Sequence, residues 1–199
     1  MIILINSLLN VSRVELGTFA IVPRSTDIIG LIKEVTKDFD LEMHKKELQI
    51  HEKYPKDLQL FFIDPKLSNI AIQNVISNAV KYTPQKGSIE IEVLLKKNGE
   101  NIGNRSIPKD SLVIMVSDTG IGIPKDQQDK IFTKLFRADN VKEKDTDGNG
   151  LGLYLAKSIV NGIKGDIWFE SELNKGTKFY LTIPLNETKN REGTKPPIG

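Results

Sequence analysis

The stretch SLVIMVS, residues 111–117, is apolar at almost every position. It reads as a strand covered on both faces, or nearly so, because neither alternate set of side chains suits water. Such a strand belongs inside a layered structure. The residues that follow sharpen the constraint. In VSDTGIGIP, residues 116–124, the apolar run ends on Asp118 and continues into a turn with Gly120 and Gly122. Two readings fit. One is a plain loop, since aspartate before glycine is common in turns. The other is a pocket wall in which Asp118 accepts a hydrogen bond from a ligand while the glycines let the backbone come close.

The neighbouring segments supply the layers. SIEIEVLLK (88–96) alternates as a strand does, and LQIHEKY (48–54) and LQLFFID (58–64) read as short strands. GDIWFES (165–171) and TKFYLTIP (177–184) predict a hairpin across Asn174-Lys175-Gly176. Asp64-Pro65 is a strong helix start, a capping carboxylate followed by proline at the first helical position. That helix should run to about Tyr82 and stop before Pro84. A second helix is expected over roughly 27–45, capped by Ser25 or Thr26, with Ile28, Ile32, Val35 and Phe39 on its buried side. Further helices are expected over 125–136 and 151–162. Residues 97–110 read as a polar connection and 137–149 as a mobile segment. Helices and strands do not alternate strictly, so the pattern predicts an α+β fold, a two-layer sandwich.

Composition narrows the function. The chain has 199 residues, 39% of them apolar and 27% charged, which suits one globular domain with an extra element. A formal net charge of +2 argues for neither nucleic acid nor an anionic membrane as partner. Cysteine is absent, which excludes disulfides and thiol chemistry. No stretch approaches the ~20 apolar residues of a membrane span. The opening MIILINSLLNV lacks a basic segment before it, so a secretory signal is not expected. A cytoplasmic location is expected, with any membrane attachment lying outside this chain.

Two further groups carry candidate chemistry. In NIAIQNVISNAVKYTP (69–84), Asn74, Asn78 and Lys81 fall on one stripe of the helix. Asparagine is a poor residue for a helix interior. The stripe reads either as a solvated face or as the floor of a pocket, where an amide oxygen could hold Mg²⁺ and the lysine could approach phosphate. In DTDGNGLGLYLAKSIV (145–160), Gly148, Gly150 and Gly152 lead into an amphipathic helix. They read as a surface turn, or as a backbone cradle for an anion at a helix N-terminus. The spacing is neither the dinucleotide fingerprint nor the Walker pattern.

Taken in order, these segments resemble the GHKL ATP-binding domain, and within it the catalytic domain of sensor histidine kinases of two-component systems. NVISNAVKYTP is similar to that family's N box, DTGIGIP to its first glycine box, and IFTKLFRAD to its F box. GNGLGLYLAK is similar to its second glycine box, and GTKFYLTIPL to its last glycine motif. INSLLNVSRVELG resembles the end of the second dimerisation helix. The resemblance covers about residues 1–185. It implies an end of the dimerisation helix over 1–17, a catalytic domain over 18–187 and a disordered tail over 188–199, with a mixed sheet packed on about three helices.

The resemblance also implies the roles. Mg-ATP would be bound and its γ-phosphoryl group passed to a histidine. Asn78 would be the principal Mg²⁺ ligand with Asn74 in support, Lys81 would contact phosphate, and Tyr82 would pack near the nucleotide. Asp118 would accept from the adenine amine beside Gly120, Gly122 and Ile123, with Thr177 deep in the same wall. Arg137, after Phe132 and Phe136, would approach the γ-phosphate. Gly148, Gly150 and Gly152 would wrap the phosphates, with Leu151 and Leu153 beside them. Asn78, Lys81 and Arg137 would be the catalytic set, and 138–149 a lid.

One departure matters. The family's acceptor histidine lies in a Ser-His-Glu-Leu-Arg type of box, and no such motif is present. His44 (EMHKKE) and His51 (IHEKY) have other contexts and read as ordinary surface or half-buried residues. NGIKG (161–165) also departs from the usual paired glycines. The expected partners are therefore a dimerisation and histidine phosphotransfer domain of the same kinase, which would be a homodimer, and a downstream response regulator. This fragment alone would not label itself. The alternatives are a non-catalytic nucleotide-binding regulatory module, or another GHKL enzyme such as an anti-sigma-type serine kinase or an ATPase.

Overall fold

The computed structural model describes residues 12, 20–56, 58–142 and 148–185. The expected dimerisation-helix segment, apart from Ser12, and the expected tail lie outside the described residues, as does the middle of the segment 137–149.

The fold is α+β. A five-stranded mixed sheet carries helices on one face. The chain begins with β1 (Arg24–Thr26), α1 (Ile28–Lys37), α2 (Asp40–Lys45), β2 (Gln49–Lys53) and β3 (Phe61–Ile63). It continues through the long α3 (Pro65–Tyr82), β4 (Ser88–Lys96), the short β5 (Asn101–Ile102) and β6 (Arg105–Ser106), and β7 (Ser111–Asp118). A 3₁₀ turn (Lys125–Lys130), α4 (Asp139–Lys142), α5 (Gly152–Gly162), β8 (Ile167–Glu172) and β9 (Gly176–Pro184) complete it. The strand order is β2-β4-β7-β9-β8, with β2 parallel to β4 and the other pairs antiparallel. β1 and β3 form a separate antiparallel pair.

β7 is the central strand, as its apolar run requires. One alternate set, Leu112, Ile114 and Val116, joins the main core with Ile89, Ile91, Phe179 and Leu181 from the flanking strands. That core is closed by Ile28 and Ile32 of α1, Val75, Ile76 and Ala79 of α3, and Leu155 and Ile159 of α5. The other set, Val113 and Met115, faces a second cluster with Trp168, Tyr180, Ile102 and Ile107. The cover on that face comes from residues 97–110, expected to be a plain polar connection. They instead fold into the β5–β6 hairpin around Gly103-Asn104, a dipeptide of the kind that makes two-residue hairpin loops. Trp168 stacks on Tyr180 with ring centroids 5.0 Å apart, and the Arg105 guanidinium lies 5.2 Å over the Trp168 ring.

α3 matches its sequence signals. Asp64 caps it, its Oδ1 accepting from Lys66 N (2.9 Å) and Leu67 N (3.0 Å), with Pro65 in the first turn. The helix ends at Thr83, whose extended backbone is what a residue before proline prefers. Asp64 Oδ2 also accepts from Val22 N at 2.7 Å, tying the entering chain to the helix start.

Two local expectations need correction. The helix over 27–45 is two helices, and its cap is Asp27, which accepts from Ile29 N and Gly30 N at 3.0 and 3.1 Å. Ser25 and Thr26 are instead in β1. The break comes where bonds tighten to i→i−3, from Asp38 N to Val35 O and from Phe39 N to Thr36 O. The helix expected over 125–136 is only the 3₁₀ turn. KDQQDK buries no residue there, so nothing pulls a full helix onto the sheet. His44 and His51 are both exposed. Among the described residues, no helix is long and apolar enough to cross a membrane.

Candidate functional site

A cavity of about 270 Å³ opens between α3, the C-terminal end of β7 and the start of α5. Its floor is the polar stripe of α3. Asn74, Ser77, Asn78, Lys81 and Tyr82 all line it, because i, i+3, i+4, i+7 and i+8 share a helix face. Along the axis the stripe spans about 12 Å at 1.5 Å per residue. The opposite face of α3 supplies Val75, Ile76 and Ala79 to the core. The two asparagines therefore sit where the helix turns from core to cavity.

Asp118 closes one end. Alternation along β7 places it on the helix-side face, after Leu112, Ile114 and Val116. The register sets it beside Thr177 of β9 and Ile89 of β4. Only 9% of its surface is exposed. Its Oδ1 accepts from Gly120 N at 2.8 Å and Thr177 N at 3.2 Å. No described residue donates a hydrogen bond to Oδ2. Burial pushes the carboxyl up to about 6, and the two backbone N–H bonds only partly offset that.

The loop after Asp118 is held at many points. Ile121 N donates to Tyr82 O (3.3 Å), Ile123 N to Ser171 Oγ (2.9 Å), and Asn174 N to Ile121 O (2.8 Å). Asn140 Nδ2 donates to Gly122 O and Gln128 Nε2 to Ile123 O, both at 3.0 Å. Gly122 has φ +63°, and a side chain there would run into the backbone of Glu172. The wall is thus preformed.

At the other end, Gly148, Asn149, Gly150, Gly152, Leu153 and Arg137 line the cavity. Among the described residues, no side chain of the N-cap residue Leu151 bonds into the first turn of α5, and Leu151 N donates to Asn149 Oδ1 at 3.0 Å. A helix start without a capping side chain presents backbone donors and positive potential. Asn74 commits its Nδ2 to Ile70 O at 2.8 Å, which leaves its oxygen as an acceptor beside Gly152. Asn78 makes no side-chain hydrogen bond among the described residues.

Of the residues singled out from sequence, Asn74, Asn78, Lys81, Tyr82, Asp118, Gly122, Ile123, Phe136, Arg137, Gly148, Gly150, Gly152, Leu153 and Thr177 line one cavity. Three stand behind it. Gly120 donates to Asp118 and packs on Tyr82; Leu151 is fully buried, anchoring the start of α5. Phe132 makes an edge contact with Phe169 (5.9 Å) under the Lys157 ammonium (4.6 Å). Sequence reasoning missed Ser77, Phe179, Asn149, Ile121, Ile131 and Ala138 as lining residues. Two were within reach of periodicity: Ser77 lies three residues after Asn74, and Phe179 two after Thr177 on the same face of β9.

The sequence profile of the histidine kinase-, DNA gyrase B-, and HSP90-like ATPase family matches residues 63–187. That span holds the floor, both ends and the wall of the cavity. The chain belongs to this family. Relatives of this ATPase-family chain include an autoinducer 2 sensor kinase/phosphatase, LuxQ, of Vibrio vulnificus. It is 35% identical over 96% of this chain and 22% of the relative. The adaptive-response sensory kinase SasA of Synechocystis is 34% identical over 92% of this chain and 44% of its own. The sensor histidine kinase WalK of Bacillus subtilis is 30% identical over 94% and 29%. The chain therefore spans less than half the length of these curated relatives. Among solved structures, full-length ShkA in complex with AMPPNP aligns over 92% of this chain and 35% of that one, with TM-score 0.75 and 24% identity. The catalytic domain of histidine kinase ThkA aligns over 82% and 95%, with TM-score 0.64 and 24% identity. Both share the fold.

Proposed function

We propose that the cavity binds Mg-ATP and that the chain is the catalytic portion of a sensor histidine kinase, the γ-phosphoryl group passing to a histidine on a dimerisation domain outside it. One observation carries the reading. A cavity of nucleotide size has a buried carboxylate with a spare acceptor oxygen at one end. At the other end lie a helix start without a cap from its own N-cap side chain, an arginine and neutral amide oxygens. The first suits an exocyclic amine, the second a polyanion.

In this reading Asp118 selects adenine through Oδ2, while Thr177, Gly120, Gly122 and Ile123 fix the carboxylate and shape the wall. Tyr82 packs beside the base. Lys81 and Arg137 meet phosphate oxygens, and Gly148, Gly150 and Gly152 with the start of α5 wrap them. Phe132, Leu151 and Leu153 support that wrap. Among the described residues, no group of three or more His, Asp or Glu could hold a metal. The donor set still fits Mg²⁺, which takes few protein oxygens when phosphates supply the rest; Asn78 would be the chief ligand and Asn74 the second. Bound Mg-ATP would supply the phosphoryl group and neutralise part of its charge. The chain's own contribution is to position that group and stabilise the charge that develops on it.

The partner domain would be that of the same kinase, in a homodimeric parent, with a response regulator downstream. The similarity to sensor kinases such as LuxQ, SasA and WalK supports this. Titration calorimetry should show ATP binding that depends on Mg²⁺. With γ-labelled ATP, the chain alone should stay unlabelled and an added dimerisation domain should gain label at histidine. No heat with ATP and Mg²⁺, or stable label on the chain by itself, would overturn the reading.

A further inference from the structure

The C-terminus of α3 is a junction shared by three parts of the chain. The Lys46 ammonium donates to Val80 O and Lys81 O, each at 2.7 Å, and lies 3.3 Å from Thr83 O. Ala79 O accepts from Thr83 N (3.0 Å) and Thr83 Oγ1 (2.6 Å), and Tyr82 O accepts from Ile121 N. Every carbonyl from Ala79 to Thr83 thus has a donor. Helix ends ordinarily leave these carbonyls without intrahelical partners and carry partial negative charge. One ammonium, with three donors, meets both needs.

Lys46 is itself held. It follows α2 directly, its N–H bonds Glu42 O at 3.0 Å, and its carbonyl accepts from Lys86 N at 2.8 Å. Its side chain is 28% exposed and lies 3.9 Å from the Glu42 carboxylate. Lys46 lines no part of the cavity, whereas Lys81 and Tyr82, whose backbone this junction carries, do. The same last turn bonds the Asp118 loop through Tyr82 O.

We propose that Lys46 is a positioning residue of the nucleotide site: its ammonium fixes the last turn of α3, and so sets where Lys81 and Tyr82 meet the ligand. The inference rests on the Mg-ATP reading. It assigns a function in the site to a residue about thirty positions before the polar stripe begins and outside every glycine-rich or asparagine-rich segment. Lys46 acts through geometry, so its loss should weaken what Lys81 contacts more than what Asp118 contacts.

The test uses the full chain, with Lys46→Met, which keeps the stem and removes the donors, and Lys46→Arg, which restores a cation with several donors. ATP and adenosine are titrated by calorimetry, and amide hydrogen exchange is followed along α3. Lys46→Met should bind ATP about 10-fold more weakly, the order expected when the charge-assisted contact that Lys81 makes is misplaced, with adenosine changed less than about 3-fold. Exchange should quicken at residues 80–83 and 121 and stay unchanged over 67–75. Lys46→Arg should recover most of the ATP affinity, and Lys46→Met with Lys81→Met should be less than additive. ATP affinity within about twofold of the parent in Lys46→Met overturns the proposal. So does an additive double variant, or a loss accompanied by faster exchange along all of α3, since that is general destabilisation. If Lys46→Met does not fold, Lys46→Gln, which keeps N–H donors without charge, is judged by the same criteria. A parent chain that fails to bind ATP defeats the functional reading first, an outcome distinct from a parent and variant that bind alike.

Discussion

Gly152 and Asn74 meet across the two helices that border the cavity: a Cβ placed on Gly152 would lie 2.7 Å from Asn74 Oδ1. The glycine therefore reserves space for an amide oxygen that the proposed function needs. Gly152→Ala should displace the Asn74 side chain and weaken Mg-ATP binding by about 10-fold or more. The fold should not suffer, because Gly152 opens α5 without a left-handed backbone and alanine is at least as good a helix former as glycine. Melting temperature held or raised with nucleotide affinity lowered is the expected pair of results from thermal unfolding and calorimetry.

Asp118 should make ligand-free stability depend on pH. Burial lifts its carboxyl to about 6 from 3.8, so the folded chain keeps a proton that the unfolded chain has released. The penalty is absent below about pH 4, grows through the interval, and is complete above about pH 6. Asp118→Asn should remove it and stabilise the ligand-free chain at pH 7–8 by about 1–3 kcal/mol, measured by denaturant unfolding at several pH values.

The same substitution should impair binding. Both backbone bonds use Oδ1, which asparagine retains. Its amide nitrogen then replaces Oδ2 and offers a donor where an adenine amine needs an acceptor. ATP affinity should fall ~10–100-fold, the value of one hydrogen bond to a charged group. Parent-chain affinity should also fall as pH drops through about 6, when the carboxylate takes up its proton. Calorimetric titrations at pH 5.5 and 8 read both effects.

Stability and site should separate on the outer face of the sheet. Ile107 is 1% exposed in the cluster beneath the β5–β6 hairpin and touches nothing in the cavity. Ile107→Ala should cost about 2–5 kcal/mol of folding stability. ATP affinity should be unchanged at temperatures where the variant is folded.

Asp64→Ala should remove the cap of α3 and the bond to Val22 N together. A capping loss of ~1–2 kcal/mol is expected from thermal unfolding. Nucleotide affinity should change little, because the cap sits at the end of α3 away from Lys81 and Tyr82.

Much of this fold was legible where local chemistry and tertiary demand agree. Asp64-Pro65 and Pro84 bound α3 because capping and proline geometry act within a few residues. The alternation in 88–96 and the apolar run in 111–117 identify β4 and the central β7, since burial on one or two faces is written in side-chain period. Signals that compete locally were misread. Asp27 outcompeted Ser25 and Thr26 because β1 pairs with β3 and holds those two residues extended. The hairpin in 97–110 was masked by its polarity, although Gly103-Asn104 marks its turn and Ile102 and Ile107 its buried side.

The sequence by itself determined which groups could meet a nucleotide: an asparagine stripe, one aspartate after a buried strand, and glycines ahead of a helix. These are properties of residue type, spacing and period, and they survive without coordinates. Only the tertiary structure decided that Asp118 stands beside Thr177, that Gly152 yields room to Asn74, and that Lys46 closes the end of α3. Those relations join residues far apart in the chain. They depend on strand register and helix packing, which no local pattern specifies, because each arises from the whole core finding one arrangement that fills its volume and satisfies its buried polar groups.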